Sequence, residues 1–495
     1  MSEAETEREP VEDAARAAPS AVELSERIEE AEGPLTADNT LNAEFVDAVV
    51  AAVDEKAADT VHVLCAPLHP ADLADLLGLV PQDRIADLVA LLGEDLSSET
   101  LAELDDDLKT PVVEALPDER LAEAITELET DNAVFVLEDM DEERRAEILA
   151  EVPTQERLAL QAALDFEVES AGRLMQRGVF AAPGYWTVGR LIDTIRKTED
   201  APDRFFEVFV VDPAFRPTGA ISLARILQSP VDRPLSDIVG RYEMRTVPVD
   251  MDQEEVAYLF EQYNLMSAPV VDETGRLVGM ITVDDVMEII HAETDEDMYA
   301  LAGVEADAGL SDSVVKTVRS RFSWLAVNLL TAIMASVVIA LFGGAIEQLV
   351  ALAVLMPIVA SMGGNAGTQT LTVAVRSLAT KNLTASNAAR IFWRETLVGG
   401  LNGAMFAVIM GVLAGVYYAA TTPEAEPSAA FALAGVVGVA MIINLICAGM
   451  AGILVPLGLQ RAGQDPAVSS AVFVTTVTDI VGFFVFLGLA AALLL

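Results

Sequence analysis

Residues 467–495 read AVSSAVFVTTVTDIVGFFVFLGLAAALLL, and Asp479 is the only charged side chain in that stretch. A helix rises about 1.5 Å per residue, so roughly 20 apolar residues cross the ~30 Å hydrocarbon layer of a bilayer. The stretch therefore predicts a membrane-spanning helix. Four earlier stretches also carry no charge and are long enough to span, namely 322–342, 349–375, 396–420 and 429–459. The sequence thus predicts an all-α domain with five spans over residues 321–495.

The loops between these spans carry opposite charges on alternate sides. Basic loops stay in the cytoplasm under the positive-inside rule. An acidic N-terminus without an apolar signal segment is also expected to be cytoplasmic. We therefore expect a multi-pass protein of the cell membrane with its C-terminus outside. The inner basic residues are Lys316, Arg319, Arg321, Arg376, Lys381, Arg390, Arg394 and Arg461, and the outer loops hold Glu347, Glu424 and Glu426.

Almost all of the net charge lies before the first span. The chain has 30 basic and 78 acidic residues and a net charge of −48, and residues 321–495 hold six of each sign. Subtraction leaves 24 basic and 72 acidic residues in 1–320. Phosphate repels such a surface, which argues against nucleic acid and for cations as partners. Adaptation to a salty cytoplasm would produce the same surface, so both explanations stay open.

The first part of the chain contains two segments that differ in composition and in hydrophobic pattern. Residues 1–40 are acidic and lack periodicity, which predicts a disordered tail. Over 41–170, short segments such as those beginning near Pro70, Pro117 and Met140 place apolar residues at three-to-four spacing. This pattern is typical of capped amphipathic helices. Its recurrence every ~20–25 residues predicts a helical, solenoid-like N domain.

Two β–turn–β–α patterns follow in tandem. The first has EVFVVD at 207–212 and GAIS at 219–222; the second has APVVD at 268–272 and LVGMITVDD at 277–285. They resemble a pair of α+β CBS (cystathionine-β-synthase-type) modules, over 171–235 and 236–292. The resemblance implies that Thr282 and Asp285 hold ATP or another adenine nucleotide. The first module has Arg225 in place of that Asp, and a dimerisation module without a ligand is the alternative.

A carboxyl group within a span is costly, by about 2.5–3.5 kcal/mol on insertion scales. No Lys or Arg lies within the predicted spans to neutralise Asp479. A passing cation would explain this residue, and a protonated or hydrogen-bonded Asp is the other reading. Thr475 and Thr478 place hydroxyl and carbonyl oxygens beside it, and these are ligands of hard cations.

A second unusual segment, MPIVASMGGNAGTQT at 356–370, lies in another predicted span. Pro357 lacks a backbone donor and the three glycines are poor helix formers. We expect a loosened helix whose freed carbonyls line an aqueous path. Small residues for close helix packing are the alternative, but that reading leaves the amides of Asn365 and Gln369 unexplained.

The available ligands favour magnesium over soft metals. Magnesium takes octahedral oxygen ligands and keeps several waters. Soft metals would call for Cys or His, and the spans contain no His and only Cys447. Ligand type alone leaves calcium, manganese and cobalt open.

Together these residues resemble the MgtE family of magnesium channels and transporters. The similarity rests on Arg321-Phe-x-Trp-Leu, on the segment from Pro357 to Gln369, and on Thr478-Asp479, in family order and spacing. The resemblance implies a homodimer in the lipid bilayer whose two subunits form one pore. It also implies that Asp479 holds hydrated Mg²⁺, while Asn365 and the backbone near Ser361 and Thr475 contact the waters of the ion.

The resemblance further implies gating by internal Mg²⁺. A linking helix over 293–320 would plug the inner mouth when Mg²⁺ bridges it to the loop before the fifth span. Asn264 stands where the family pattern has Asp, so one bridging site is expected to be weak or absent. The matching helix carboxylates are Glu293, Glu296 and Asp297, the loop carboxylate is Asp465, and Asp285, Glu288 and Asp131 match sites between the CBS and N domains.

Three rival functions differ in kind from a channel. A membrane enzyme is disfavoured because the three histidines precede the spans and form no His-Glu-x-x-His motif, and no P-loop exists for a pump. A secondary exchanger of divalent cations would need the same Asp479. A membrane-tethered cation sensor without transport would not need it. The sequence favours inward transport of Mg²⁺ and no enzymatic activity.

Overall fold

A computed structural model of the chain describes residues 33–198, 205–240, 244–304, 314–421, 427–468 and 470–495. Most of the predicted acidic tail, the middle of the predicted linking helix at 305–313, and the outer-loop Glu424 and Glu426 lie outside these residues. The chain forms two compact units, Met1–Val286 and Met287–Leu495.

Over the described residues 33–164, ten short α-helices build the first half of the N-terminal unit. Capping residues define their ends: His69 accepts from the Ala71 amide ahead of Pro70 at the first helical position, and Ser97 accepts from the Thr100 amide. Their apolar faces meet in one buried core that includes Phe45, Leu88 and Leu121. The helices are α1 Ala43–Asp54, α2 Ala58–Cys65, α3 Pro70–Leu79, α4 Gln82–Leu92, α5 Ser98–Ala102, α6 Asp106–Ala115, α7 Asp118–Glu127, α8 Thr130–Glu138, α9 Glu142–Glu151 and α10 Thr154–Leu164.

Two three-stranded sheets of equal topology follow the helices. In each sheet the first two strands are parallel and the last two antiparallel, and the irregularity falls at Val210/Val211 in one and at Val270/Val271 in the other. This confirms the predicted tandem α+β pair. The strands are β1 Ala181–Pro183, β2 Glu207–Val211, β3 Pro217–Ser222, β4 Val247–Pro248, β5 Ser267–Val271 and β6 Leu277–Thr282, and the helices among them are α11 Ala171–Leu174, α12 Val188–Ile195, α13 Leu223–Gln228 and α14 Gln253–Tyr263.

The part of the second unit that the structure describes holds five helices long and apolar enough to cross a membrane, which confirms the predicted number of spans. Helix α15, Val283–Ala302, enters this unit, and the short helix α16, Gly343–Gln348, lies between the first two spans. The spans are span 1 Val314–Leu341, span 2 Ala351–Ala379, span 3 Ala388–Thr421, span 4 Pro427–Arg461 and span 5 Ser470–Leu493.

Span 2 corrects one expectation. Its α-helix is continuous through Pro357 and all three glycines, so the expected loosened backbone is wrong. Two of the glycines permit close packing instead. A Cβ atom at Gly363 would overlap the amide of Asn444, and one at Gly367 would lie 2.5 Å from a methyl of Val474. The alternative reading, small residues for close helix packing, is therefore the one the structure bears out.

One buried charge is important to the N-terminal core. Lys109 is 2% exposed, and its Nζ lies 2.6 Å from Asp139, 3.2 Å from Glu138 and 4.0 Å from the centre of the Phe135 ring. Burial alone would lower the pKa of Lys109, but the hydrogen bond to Asp139 and the neighbouring carboxylates raise it above its ordinary value. The lysine thus neutralises an acidic cluster inside the fold.

We predict that Lys109→Met lowers the thermal unfolding midpoint of the purified chain by several degrees. The substitution keeps most of the volume but leaves Glu138 with only its longer ion pair to Arg173, at 3.5 Å. Breaking a buried ion pair completely costs about 3–5 kcal/mol, and the remaining arginine reduces this loss. Arg84→Met is the matched control, because Arg84 pairs with Asp54 at a more exposed site and such pairs contribute only ~0.2–1 kcal/mol. Equal shifts for the two variants would contradict the role given to Lys109.

Candidate functional site

A stripe of polar side chains runs along one face of span 2. Its members recur at helical spacing and are all exposed, while Gly363, Gly367, Leu371 and Ala374 on the other face are buried. Hydrocarbon cannot satisfy such groups, so the face is suited to water or to a polar partner. This polar stripe consists of Ser361, Asn365, Thr368, Gln369 and Thr372.

Threonine hydroxyl groups in this region donate to their own helices. Thr368 Oγ1 donates to the carbonyl of Gly364 at 3.0 Å, and Thr372 Oγ1 donates to that of Thr368 at 3.0 Å. In span 5, Thr475 Oγ1 donates to the Ala471 carbonyl at 2.9 Å. Each hydroxyl keeps lone pairs after its proton is bonded. The surface therefore presents acceptors, which suit a cation or the waters around one.

Asp479 lies half-buried in span 5, beside the contact between spans 2 and 5. A Cβ atom at Gly364 would lie 3.8 Å from Thr475 Cγ2 and 4.0 Å from Thr478 Oγ1, so the two helices meet one residue before the carboxylate. Within the described residues, Asp479 has neither a hydrogen bond nor an ion pair. A carboxylate at this depth without a partner is a functional candidate.

The structure brings Asp131 and Asp285 together. Burial, and then the charge of Asp285, raise the pKa of Asp131 well above its ordinary value, and its Oδ1 is buried without a hydrogen bond. Burial also raises the pKa of Asp285, although the hydroxyl of Thr282 donates to it at 2.7 Å. Gln176 Nε2 donates to Asp285 at 3.3 Å. Like charges in a buried place favour a proton or a cation.

The structure also places Asp297 of α15 near Asp465, the loop residue before span 5. Burial, and then the negative charge of Asp465, raise the pKa of Asp297, whereas the charge of Arg376 lowers it. Asp465 Oδ1 accepts from the Ala467 amide at 2.8 Å. From the sequence, Arg376 was recognised only as an inside positive charge, and its influence on Asp297 appears only in the structure.

The other predicted sensor carboxylates, Glu288, Glu293 and Glu296, lie on α15. Among the described residues, no group of three or more His, Cys, Asp or Glu side chains could hold a metal ion.

Five apolar helices with an exposed polar stripe, in one chain with a helical N domain and two tandem α+β sheets, have the architecture of a multi-pass membrane protein with a large soluble part. A family model described as a divalent cation transporter matches residues 356–489. The models for the MgtE intracellular N domain and the CBS domain match residues 68–169 and 235–292. The magnesium transporter MgtE of Thermus thermophilus is 32% identical over 340 residues, which is 68% of this chain and 73% of that protein. The chain belongs to the MgtE family.

The chain is also similar to a second transporter and to a solved cytosolic domain. The magnesium transporter MgtE of Bacillus subtilis is 28% identical over 68% of this chain and 72% of its own length. Among solved structures, the cytosolic domain of the Mg²⁺ channel MgtE in complex with ATP is 26% identical, with a TM-score of 0.43, over 54% of this chain and 99% of that one.

We predict that Asp131→Asn makes the unfolding midpoint less sensitive to pH. Because both pKa values are raised in the folded state, the acid pair is most favourable at low pH, and its contribution is lost as pH rises through the raised values. In metal-free buffer, the unchanged chain should therefore lose more stability between pH 5 and pH 7.5 than the variant does. Glu147→Gln, which changes an exposed carboxylate, is the control. Identical pH profiles for Asp131→Asn and the unchanged chain would contradict the prediction.

Proposed function

We propose that the chain moves Mg²⁺ across the cell membrane into the cytoplasm. The observation that carries the proposal is the half-buried carboxylate of Asp479, which has no partner within the described residues and lies at the contact with span 2. A divalent ion passing this point supplies the missing charge. Membership of a family of magnesium transporters supports the choice of cargo.

The acceptor surface explains how the ion is held. Hydrated Mg²⁺ presents water hydrogens, and the proposed binding groups, Asp479, Asn365, Thr475 and Ser361, offer oxygen atoms to them. Because the ion keeps its first-shell waters, few direct ligands are required. The site therefore works without a dense cluster of carboxylates.

A second copy of the chain completes the pathway in this proposal. The polar stripe of span 2 is exposed in a single chain, and lipid cannot solvate it. Two copies that face each other across an aqueous path would remove the stripe from lipid. In each copy the N-terminus lies in the cytoplasm and the C-terminus outside, because the loop charges favour this orientation.

Internal Mg²⁺ closes the pathway by bridging carboxylates. Burial, and then the negative charge of Asp465, raise the pKa of Asp297. A divalent ion converts the repulsion between these two carboxylates into attraction. The helix that carries Asp297 gains further negative charge from Glu288, Glu293 and Glu296. In the other unit, an equivalent pair is formed by Asp131 and Asp285. Falling internal Mg²⁺ then shifts the population toward the open state.

Nucleotide is not required by this proposal. The groups expected to hold an adenine nucleotide, Thr282 and Asp285, are hydrogen-bonded to each other at 2.7 Å, and Asp285 also accepts from Gln176. A nucleotide would have to replace these contacts. Mg²⁺ is therefore the regulatory ligand in this mechanism.

We predict that Asp479→Asn lowers Mg²⁺ uptake at least tenfold in proteoliposomes and fails to rescue growth of a magnesium-starved strain. The variant removes the charge but keeps the shape, and Glu347→Gln in an outer loop is the control. Uptake that is unaffected by sodium and proton gradients indicates a channel, whereas dependence on either gradient indicates an exchanger. Full rescue by Asp479→Asn would refute the pathway and favour the tethered sensor.

We predict that Asp297→Asn combined with Asp465→Asn keeps Mg²⁺ flux severalfold higher than in the unchanged chain at millimolar internal Mg²⁺. Without the two carboxylates the ion cannot bridge them, so closure is lost. Asp295→Asn is the matched control because Asp295 is an exposed residue of the same helix. Unaltered block by internal Mg²⁺ in the double variant would rule out this bridge.

A further inference from the structure

Asn444 is a fully buried amide in the middle of span 4. Its Nδ2 donates to the carbonyl of Val359 in span 2 at 2.9 Å. Only the nitrogen end of the amide can donate, so this contact fixes the orientation of the side chain. Oδ1 of Asn444 is buried and has no hydrogen-bond partner among the described residues.

Two glycines make room for this amide. A Cβ atom at Gly363 of span 2 would overlap Nδ2 of Asn444, and a Cβ atom at Gly482 of span 5 would lie 2.8 Å from the same nitrogen. No side chain larger than hydrogen fits at either position without a shift. Three spans therefore meet at one side chain.

The two glycines are close in sequence to the proposed ion-binding groups. Gly363 precedes Asn365 by two residues, and Gly482 follows Asp479 by three. At about 1.5 Å of rise per residue, Asn444 contacts each helix within one turn of its ion-binding side chain. Gly363 is buried whereas Asn365 is exposed. The amide therefore lies behind the pathway and does not line it.

Stability alone does not account for an amide at this place. An unpaired buried oxygen is unfavourable, and an apolar side chain would avoid that cost. Interhelical hydrogen bonds within membranes also contribute little to stability on average. A directional bond, however, fixes the rotation and height of one helix against another. This is what a site with oxygen ligands on two helices requires.

We propose that Asn444 is a positioning residue of the ion pathway. Its bond to Val359 and its fit between Gly363 and Gly482 set the placement of span 2 relative to span 5, and with it the spacing between Asn365 and Asp479. The inference rests on the proposed transport function. It adds that the affinity for the ion is controlled from a residue that never touches the ion.

The first arm of the test measures the contact without any transport assay. Unfolding midpoints of the full chain are compared for the unchanged protein, Asn444→Ala, Gly363→Ala and the double variant. The new methyl group at residue 363 overlaps the amide only when Asn444 is present. Gly363→Ala should therefore lower the unfolding midpoint strongly in the unchanged protein and only weakly in the Asn444→Ala variant. Additive shifts would overturn the packing role.

The second arm measures Mg²⁺ flux against external Mg²⁺ concentration. Asn444→Ala, or the milder Asn444→Ser if the first variant folds poorly, should raise the half-saturating concentration at least threefold. Ile453→Ala is the control: it removes a buried side chain of span 4 from an apolar cluster with Ala374, Leu378, Leu383 and Leu457. The control should change the maximal flux only downward, if at all, and should leave the half-saturating concentration unchanged.

The outcomes separate the two proposals. A lower maximal flux with an unchanged half-saturating concentration in the Asn444 variants would show a merely structural amide and overturn the inference. Absence of flux in the unchanged protein would overturn the transport function, and with it the positioning role, even if the unfolding cycle still showed the contact.

Discussion

A polar group within a lipid bilayer needs a polar partner, and the membrane unit is arranged around this constraint. The threonine hydroxyls meet it inside their own helices, and Asn444 meets it in part through the carbonyl of Val359. Asp479 does not meet it within the described residues of one chain. Within the same residues, the side chains of Ser361, Asn365 and Gln369 in the polar stripe likewise lack a polar partner. The unmet requirement of these groups is what a hydrated cation and a facing subunit would satisfy.

Outside the membrane, buried charges also need partners of opposite sign, and acidic groups outnumber basic ones there. Asp131 with Asp285, and Asp297 with Asp465, are carboxylate pairs in which burial and mutual repulsion favour the neutral acid or a bound cation. Lys109 shows the contrasting solution, because a permanent positive charge balances its acidic neighbours. Fixed cations suit permanent structure, whereas exchangeable cations suit a sensor. Under the proposed function, the acidic part of the chain would contain both kinds of site.

The large features of the fold were accessible from the sequence because they depend on local pattern. Charge-free runs gave five spans, and a repeated strand–turn–strand order gave the paired sheets. The glycines of span 2 were misread, because whether a glycine loosens a helix or admits a neighbour depends on that neighbour. Asn444 was missed for the same reason, although a single amide in the apolar run 429–459 was a visible signal. The approach of Asp297 to Asp465 was expected from family resemblance, but the influence of Arg376 on Asp297 required coordinates.

The direction of the threonine hydroxyls has a consequence for anions. A chloride or phosphate ion in the passage would need hydrogens pointed toward it, but those of Thr368, Thr372 and Thr475 already point at helix carbonyls. The amides of Asn365 and Gln369 can turn either end outward, so they do not reverse this bias. Lining the proposed pathway, this surface would discriminate by the sign of the charge before it discriminates by the radius of the ion.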